Sequence, residues 1–157
     1  MLLSLFQALE SSPVGDAIHK SLWLFPIVEA FHLVGLAVIG GAILIVDFRL
    51  IGLVLRGQPA ARVARDMQPW VIGSLCAMIL SGVPLLVSEA VKCYYSFAFW
   101  TKMTALALAI IFTFTIRRSV ASAPEGRHSP LLTRAVAVIS IALWSTVGWG
   151  GRWIGFS

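Results

Sequence analysis

The sequence predicts an all-α fold, a four-helix transmembrane bundle with an N-terminal amphipathic segment lying at the membrane interface. Three observations predict it. Hydrophobic residues fill 59% of the 157 positions and charged residues only 12%, about half the roughly 25% usual in soluble domains. The mean hydropathy of +0.90 describes more apolar surface than a water-facing globule can hide. Finally, the apolar residues gather in four long runs, each near or above the roughly 20 that a helix needs to cross a ~30 Å hydrocarbon core. The same figures exclude a disordered chain, and two cysteines are too few for a disulfide-stapled module. A membrane barrel is excluded because its strands would alternate polar and apolar residues, and these runs do not.

Residues 1–20 form the interfacial segment and 21–157 the transmembrane domain. Met1–Glu10 is apolar but short, carries no leading positive charge and runs into Ser11-Ser12-Pro13, which makes a poor signal peptide. It reads as a short amphipathic helix on the outer leaflet, with Pro13 opening a second short turn to Lys20. The first span covers about 21–46 and is interrupted only by Glu29 and His32. The second, about 69–88, has no charge; Gly82 and Pro84 should bend it near its outer end. The third, about 97–116, carries Lys102 near its start, and the fourth, about 131–154, has Arg134 and Arg152 at its ends. Small residues at four-residue spacing (Ala37 and Gly41; Gly73, Ala77 and Ser81; Ala105 and Ala109) suggest where helices approach one another.

Twelve Lys and Arg against seven Asp and Glu give a pI near 9.9, which raises nucleic acid as a partner. The distribution argues against it. Arg49, Arg56, Arg62 and Arg65 fall in one connection, and Arg117, Arg118, Arg127 and Arg134 in another. That is the pattern of topology-setting loops, so both connections read as cytoplasmic and both termini as periplasmic. Trp23, Trp100, Trp149 and Trp153 fall at the outer interface and Trp70 at the inner one. Cys76 and Cys93 are separated by about 25 Å of helical rise, too far for a disulfide.

The chemistry-bearing residues gather at the outer end. Counting from the cytoplasmic ends at 1.5 Å per residue brings Glu29, Lys102, Arg152 and Glu89, one from each helix, to one level. His32 lies a turn deeper on the face of Glu29. One reading makes these charges interfacial fasteners that pair or snorkel. Another makes them a polar cluster opening outward, with Glu29 paired to Lys102 or Arg152 and His32 at the floor. An imidazole there can ligate haem iron, relay protons or bond a neighbouring hydroxyl. For haem b with His32 as metal ligand, His19 and Met103 are the candidate second axial ligands. A dimetal site is disfavoured, because Glu29-x-x-His32 occurs once and such sites need two copies. No phosphate-binding loop, dinucleotide fingerprint, C-x-x-C-H or catalytic triad is present. The expected function is therefore a membrane subunit, not catalytic by itself, that binds haem b and passes electrons. A small-solute or proton-coupled transporter, an oligomeric pore and a structural anchor are the alternatives. Its partners are the lipid bilayer and either further copies of the chain or a larger membrane complex.

Pro26-x-x-Glu29-x-x-His32-Leu33-x-Gly35, followed by Asp47-x-Arg49-Leu50-x-Gly52, resembles a family of small bacterial four-helix inner-membrane proteins without assigned function. Lys102-Met103, Leu143-Trp144 and Gly151-Arg152-x-Ile154 are similar to that family's later motifs. The resemblance covers nearly the whole chain. It implies the fold and a bacterial inner-membrane location, and it implies no activity.

Overall fold

A computed structural model describes residues 1–154. Two short helices, α1 (Leu2–Glu10) and α2 (Pro13–Lys20), lead into α3 (Leu24–Ile51) and α4 (Ala60–Ser88). After the single turn-and-a-half of α5 (Ala90–Tyr95) comes α6 (Phe97–Phe112), continued by a π-helical turn (Thr113–Arg117) and α7 (Arg118–Ala121). The last helix is α8 (Pro130–Ile154). Among the described residues no strand forms. Four helices are long and apolar enough to cross a membrane: α3, α4, the continuous 97–121 helix and α8, at mean hydropathies of 2.2, 2.1, 1.7 and 1.6.

These four pack around one another in the order α4–α3–α8–α6, with α3 against α4 and α6 against α8 as the main contacts. At mid-height the core is apolar: Ile39 and Ile43 of α3, Val71 and Met78 of α4, Ala105 and Ala109 of α6, Trp144 and Val147 of α8. Outward, the bundle is apolar too. Phe31, Leu80, Ile111 and Trp149 are each at least 60% exposed, a surface that only a hydrocarbon solvent leaves unpenalised. Of the three small-residue ridges, Ala105 and Ala109 are buried between helices. Gly41 and Gly73 face open space, with nothing within 4 Å of an added Cβ.

Three of the spans run further than their apolar patterns suggest, all toward the arginine-rich end. α3 continues past residue 46 because Asp47 stays inside the bundle, fully buried, instead of opening a loop. Gly52 then stops the helix: at φ +87° it turns the chain so that the Leu53 N–H reaches the Phe48 carbonyl at 2.8 Å. Glycine takes that left-handed conformation without strain. α4 begins at Ala60 rather than near 69, since 60–68 is an amphipathic helical stretch that buries Val63. Pro69 and Pro84 therefore lie within the helix, where each removes a backbone hydrogen bond.

At the other end, α1 and α2 pack on the tips of the bundle. Phe6 is buried with Ala90, Cys93 and Phe99, its ring 5.4 Å from Tyr94 and 6.5 Å from Phe99. Glu10 accepts a hydrogen bond from the Val91 N–H at 2.7 Å, which ties α1 to the start of α5.

Candidate functional site

His32 faces α4. Its Nδ1 shares a hydrogen bond with Ser81 Oγ at 2.9 Å. The Ser81 hydroxyl already donates to the Ala77 carbonyl at 2.7 Å, and a hydroxyl has one proton to give. Nδ1–H is then the donor, and when the ring is neutral its lone pair is on Nε2. The ring lies against Gly82, where an added Cβ would come within 3.2 Å of Cε1. A glycine is what lets the imidazole sit this close to α4.

Lys102 lies on α6 at the same end of the bundle. Its stem lies along α8, where added Cβ atoms on Gly150 and Gly151 would stand 3.0 Å from its Cβ and 3.3 Å from its Nζ. The side chain is half-buried, and among the described residues no acceptor or carboxylate pairs with the ammonium. His32 and Ser81 thus join α3 to α4, and Lys102 of α6 lies against α8 at the same end.

The other residues expected here lie at the same end but not in this group. Glu29 is exposed and makes no ion pair among the described residues. Glu89 pairs with Lys92 of α5 at 3.7 Å, a partner adjacent in the chain. Arg152 is exposed on the last turn of α8. His19 is exposed on α2. Met103, one residue and about 100° of helical rotation beyond Lys102, is 41% exposed. Among the described residues no three His, Cys, Asp or Glu side chains gather as metal-holding groups do. Cys93, outside the spans and beneath Phe6, has its thiol pushed up to about 11, first by burial and then by the neighbouring Glu89.

A second polar centre, which residue patterns did not reveal, sits at the arginine-rich end. Arg117 is 7% exposed and Asp47 not at all, and Arg117 Nε donates to Asp47 Oδ1 at 2.7 Å. Arg117 Nη2 donates to the Ile43 carbonyl at 3.1 Å. Beside them, the buried Ser140 hydroxyl faces the Asp47 carboxylate. One turn earlier on the same helix, Thr113 Oγ1 accepts from Trp144 Nε1 at 3.1 Å. The π turn ends on Arg117, and its extra residue shifts the helical register. Position 117 looked like the start of a loop because it opens a run of two arginines.

Comparison with known proteins bears on both centres. Residues 17–157 match the family described as "Family of unknown function (DUF6644)". The chain belongs to that family. Neither a curated protein nor a solved structure matches it. In this family member, the residues that carried the resemblance have physical places. His32 holds Ser81, and Gly35 leaves room for Met78, whose Cγ would be 3.0 Å from an added Cβ. Asp47 holds Arg117, and Arg49 reaches Glu125 of the second arginine-bearing connection at 2.8 Å. Leu50 is buried and Gly52 ends α3.

Proposed function

We propose that this family member is a bacterial inner-membrane protein, both termini periplasmic, that carries protons together with a small anion through the site made by His32, Ser81 and Lys102. The reading rests on one observation: Lys102 is half-buried at the same end of the bundle as His32, and no carboxylate among the described residues pairs with either side chain. A desolvated ammonium needs a counter-charge, and an arriving anion supplies one. The Nε2 lone pair of His32 takes the accompanying proton, while Ser81 holds the ring in one orientation. The placement of the termini rests on the eight arginines at the opposite end.

A second reading is favoured by the same lone pair. A ring fixed through Nδ1 is how ligating histidines are oriented, so Nε2 fits one axial position of haem b. Haem would supply one-electron chemistry in an electron-transfer or membrane-anchor subunit. The residues present fit one ligand only: His19 and Met103 are exposed on other elements, and the second ligand would come from a further copy or a partner subunit.

Purified full-length protein in vesicles separates the two. We expect a colourless sample that acidifies a trapped pH dye when an inward chloride gradient is imposed, and loss of that flux in His32→Ala and Lys102→Gln. A Soret band lost in His32→Ala selects haem. No pigment and no flux above empty vesicles would leave the protein a structural anchor.

A further inference from the structure

The arginine-rich end holds a cavity of about 210 Å³ between the start of α4 and the π turn with α7. It is remote from His32, and nothing in the proposed function uses it. Arg65 and Gln68 of α4, and Arg118 and Ser122 at α7, line it. Both arginines are exposed and, among the described residues, neither makes an ion pair or a hydrogen bond. The inner wall is Arg117. Two of its N–H groups are spent on Asp47 and on the Ile43 carbonyl, which fixes the guanidinium and leaves its remaining donors unassigned. Below the arginines the lining turns apolar, with Val46, Val71 and Phe114.

Asp47 compensates Arg117, but Arg65 and Arg118 on the same small cavity, with no carboxylate in its lining, leave positive charge uncompensated. Planar guanidinium donors match the oxygens of a phosphate, often two at a time. We propose that this cavity is a binding site for a phosphate group. The observations favour a phospholipid as its bearer. The cavity lies at one end of membrane-spanning helices, and its floor passes from arginine to hydrocarbon side chains as a lipid passes from headgroup to glycerol and acyl chain. Basic pockets between transmembrane helices are a recurrent means of holding anionic headgroups. Arg117 sets the depth of the site, because Asp47 keeps it from extending outward. Arg65 and Arg118 close over the bound group from the rim.

The test uses full-length protein in a neutral detergent. Native mass spectrometry reports retention of phosphatidylglycerol against phosphatidylcholine, and calorimetry with sodium phosphate reports a free anion. Arg65→Gln with Arg118→Gln removes the rim while leaving the Asp47–Arg117 pair. Arg62→Gln, an exposed arginine outside the cavity lining, is the control. Phosphatidylglycerol should be retained preferentially, and the double variant should lose that retention by roughly tenfold or more while the control keeps it. Sodium phosphate binding with the same dependence on Arg65 and Arg118, and no lipid preference, would equally establish the phosphate site and assign it a soluble ligand. Should the double variant misfold, thermal shifts of the unaltered protein with each lipid and with phosphate decide the matter. Equal behaviour toward both lipids together with no response to phosphate overturns the proposal, as does loss of retention in Arg62→Gln to the same extent.

Discussion

Asp47 and Arg117 illustrate how one contact changes the reading of two residues. Each alone resembles a loop boundary, since an isolated charge in hydrocarbon is costly. Together they satisfy one another at 2.7 Å, and both helices extend past them. Removing one partner leaves an uncompensated buried charge, which typically costs about 3–5 kcal/mol. Asp47→Asn should therefore lower the thermal midpoint in detergent sharply. A double Asp47→Leu, Arg117→Leu replacement should recover much of the loss, because a well-packed apolar pair of similar volume is often no worse. An unchanged midpoint in Asp47→Asn would show that the pair carries no weight. Cys93 gives a second prediction at this scale. With its thiol near 11, only about a thousandth is thiolate at pH 8. Maleimide labelling should be slow there and quicken about tenfold per pH unit up to the thiol's own value. Folding also feels this thiol: its contribution is complete below the ordinary value of 9.0 and is lost as pH rises toward 11, where an unfolded thiol has ionised and the folded one has not. Fast labelling at pH 7 would mean that α1 does not cover it.

The helices themselves show what a sequence pattern can and cannot carry. All four spans were legible, because length and composition alone decide whether a segment can cross a bilayer. The two N-terminal helices were legible from Pro13 and the serines before it, and Ser12 does cap α2 by accepting from the Gly15 N–H at 3.2 Å. The inner ends were not, because they depend on which charge meets which. α3 is apolar on every side, so hydrophobicity does not mark its inward face. Gly35, Ile39, Ile43, Val46, Asp47 and Leu50 mark it instead, at helical three- and four-residue steps. Glu29 is exposed and pairs with no cation among the described residues, because counting residues gives an expected depth and not a face. The π turn was invisible for the same reason, being a local register change that only tertiary partners justify. Deleting Thr115, an exposed residue within that turn, should restore ordinary α-helix and rotate Arg117 away from Asp47. The protein should then lose stability comparable to Asp47→Asn. A deletion variant with unaltered stability would indicate that the turn does not position Arg117.

For the whole molecule, the two ends differ in kind. One has the His32–Ser81 pair and a half-buried Lys102; the other has arginines around a cavity. That asymmetry underlies the proposed orientation. In intact cells of a strain whose copy lacks Cys76 and Cys93, Gln58→Cys in the α3–α4 connection should resist an impermeant maleimide. Ser11→Cys, exposed between α1 and α2, should react. The reverse pattern would invert the protein in the membrane. The proposed activity is tested most directly by proton flux into vesicles carrying the unaltered protein, His32→Ala or His32→Gln, driven by a chloride gradient. If Nε2 of His32 carries the proton, the unaltered protein acidifies the lumen and both variants match empty vesicles. Flux persisting in His32→Gln, which can still bond Ser81 but cannot take up a proton, would contradict it.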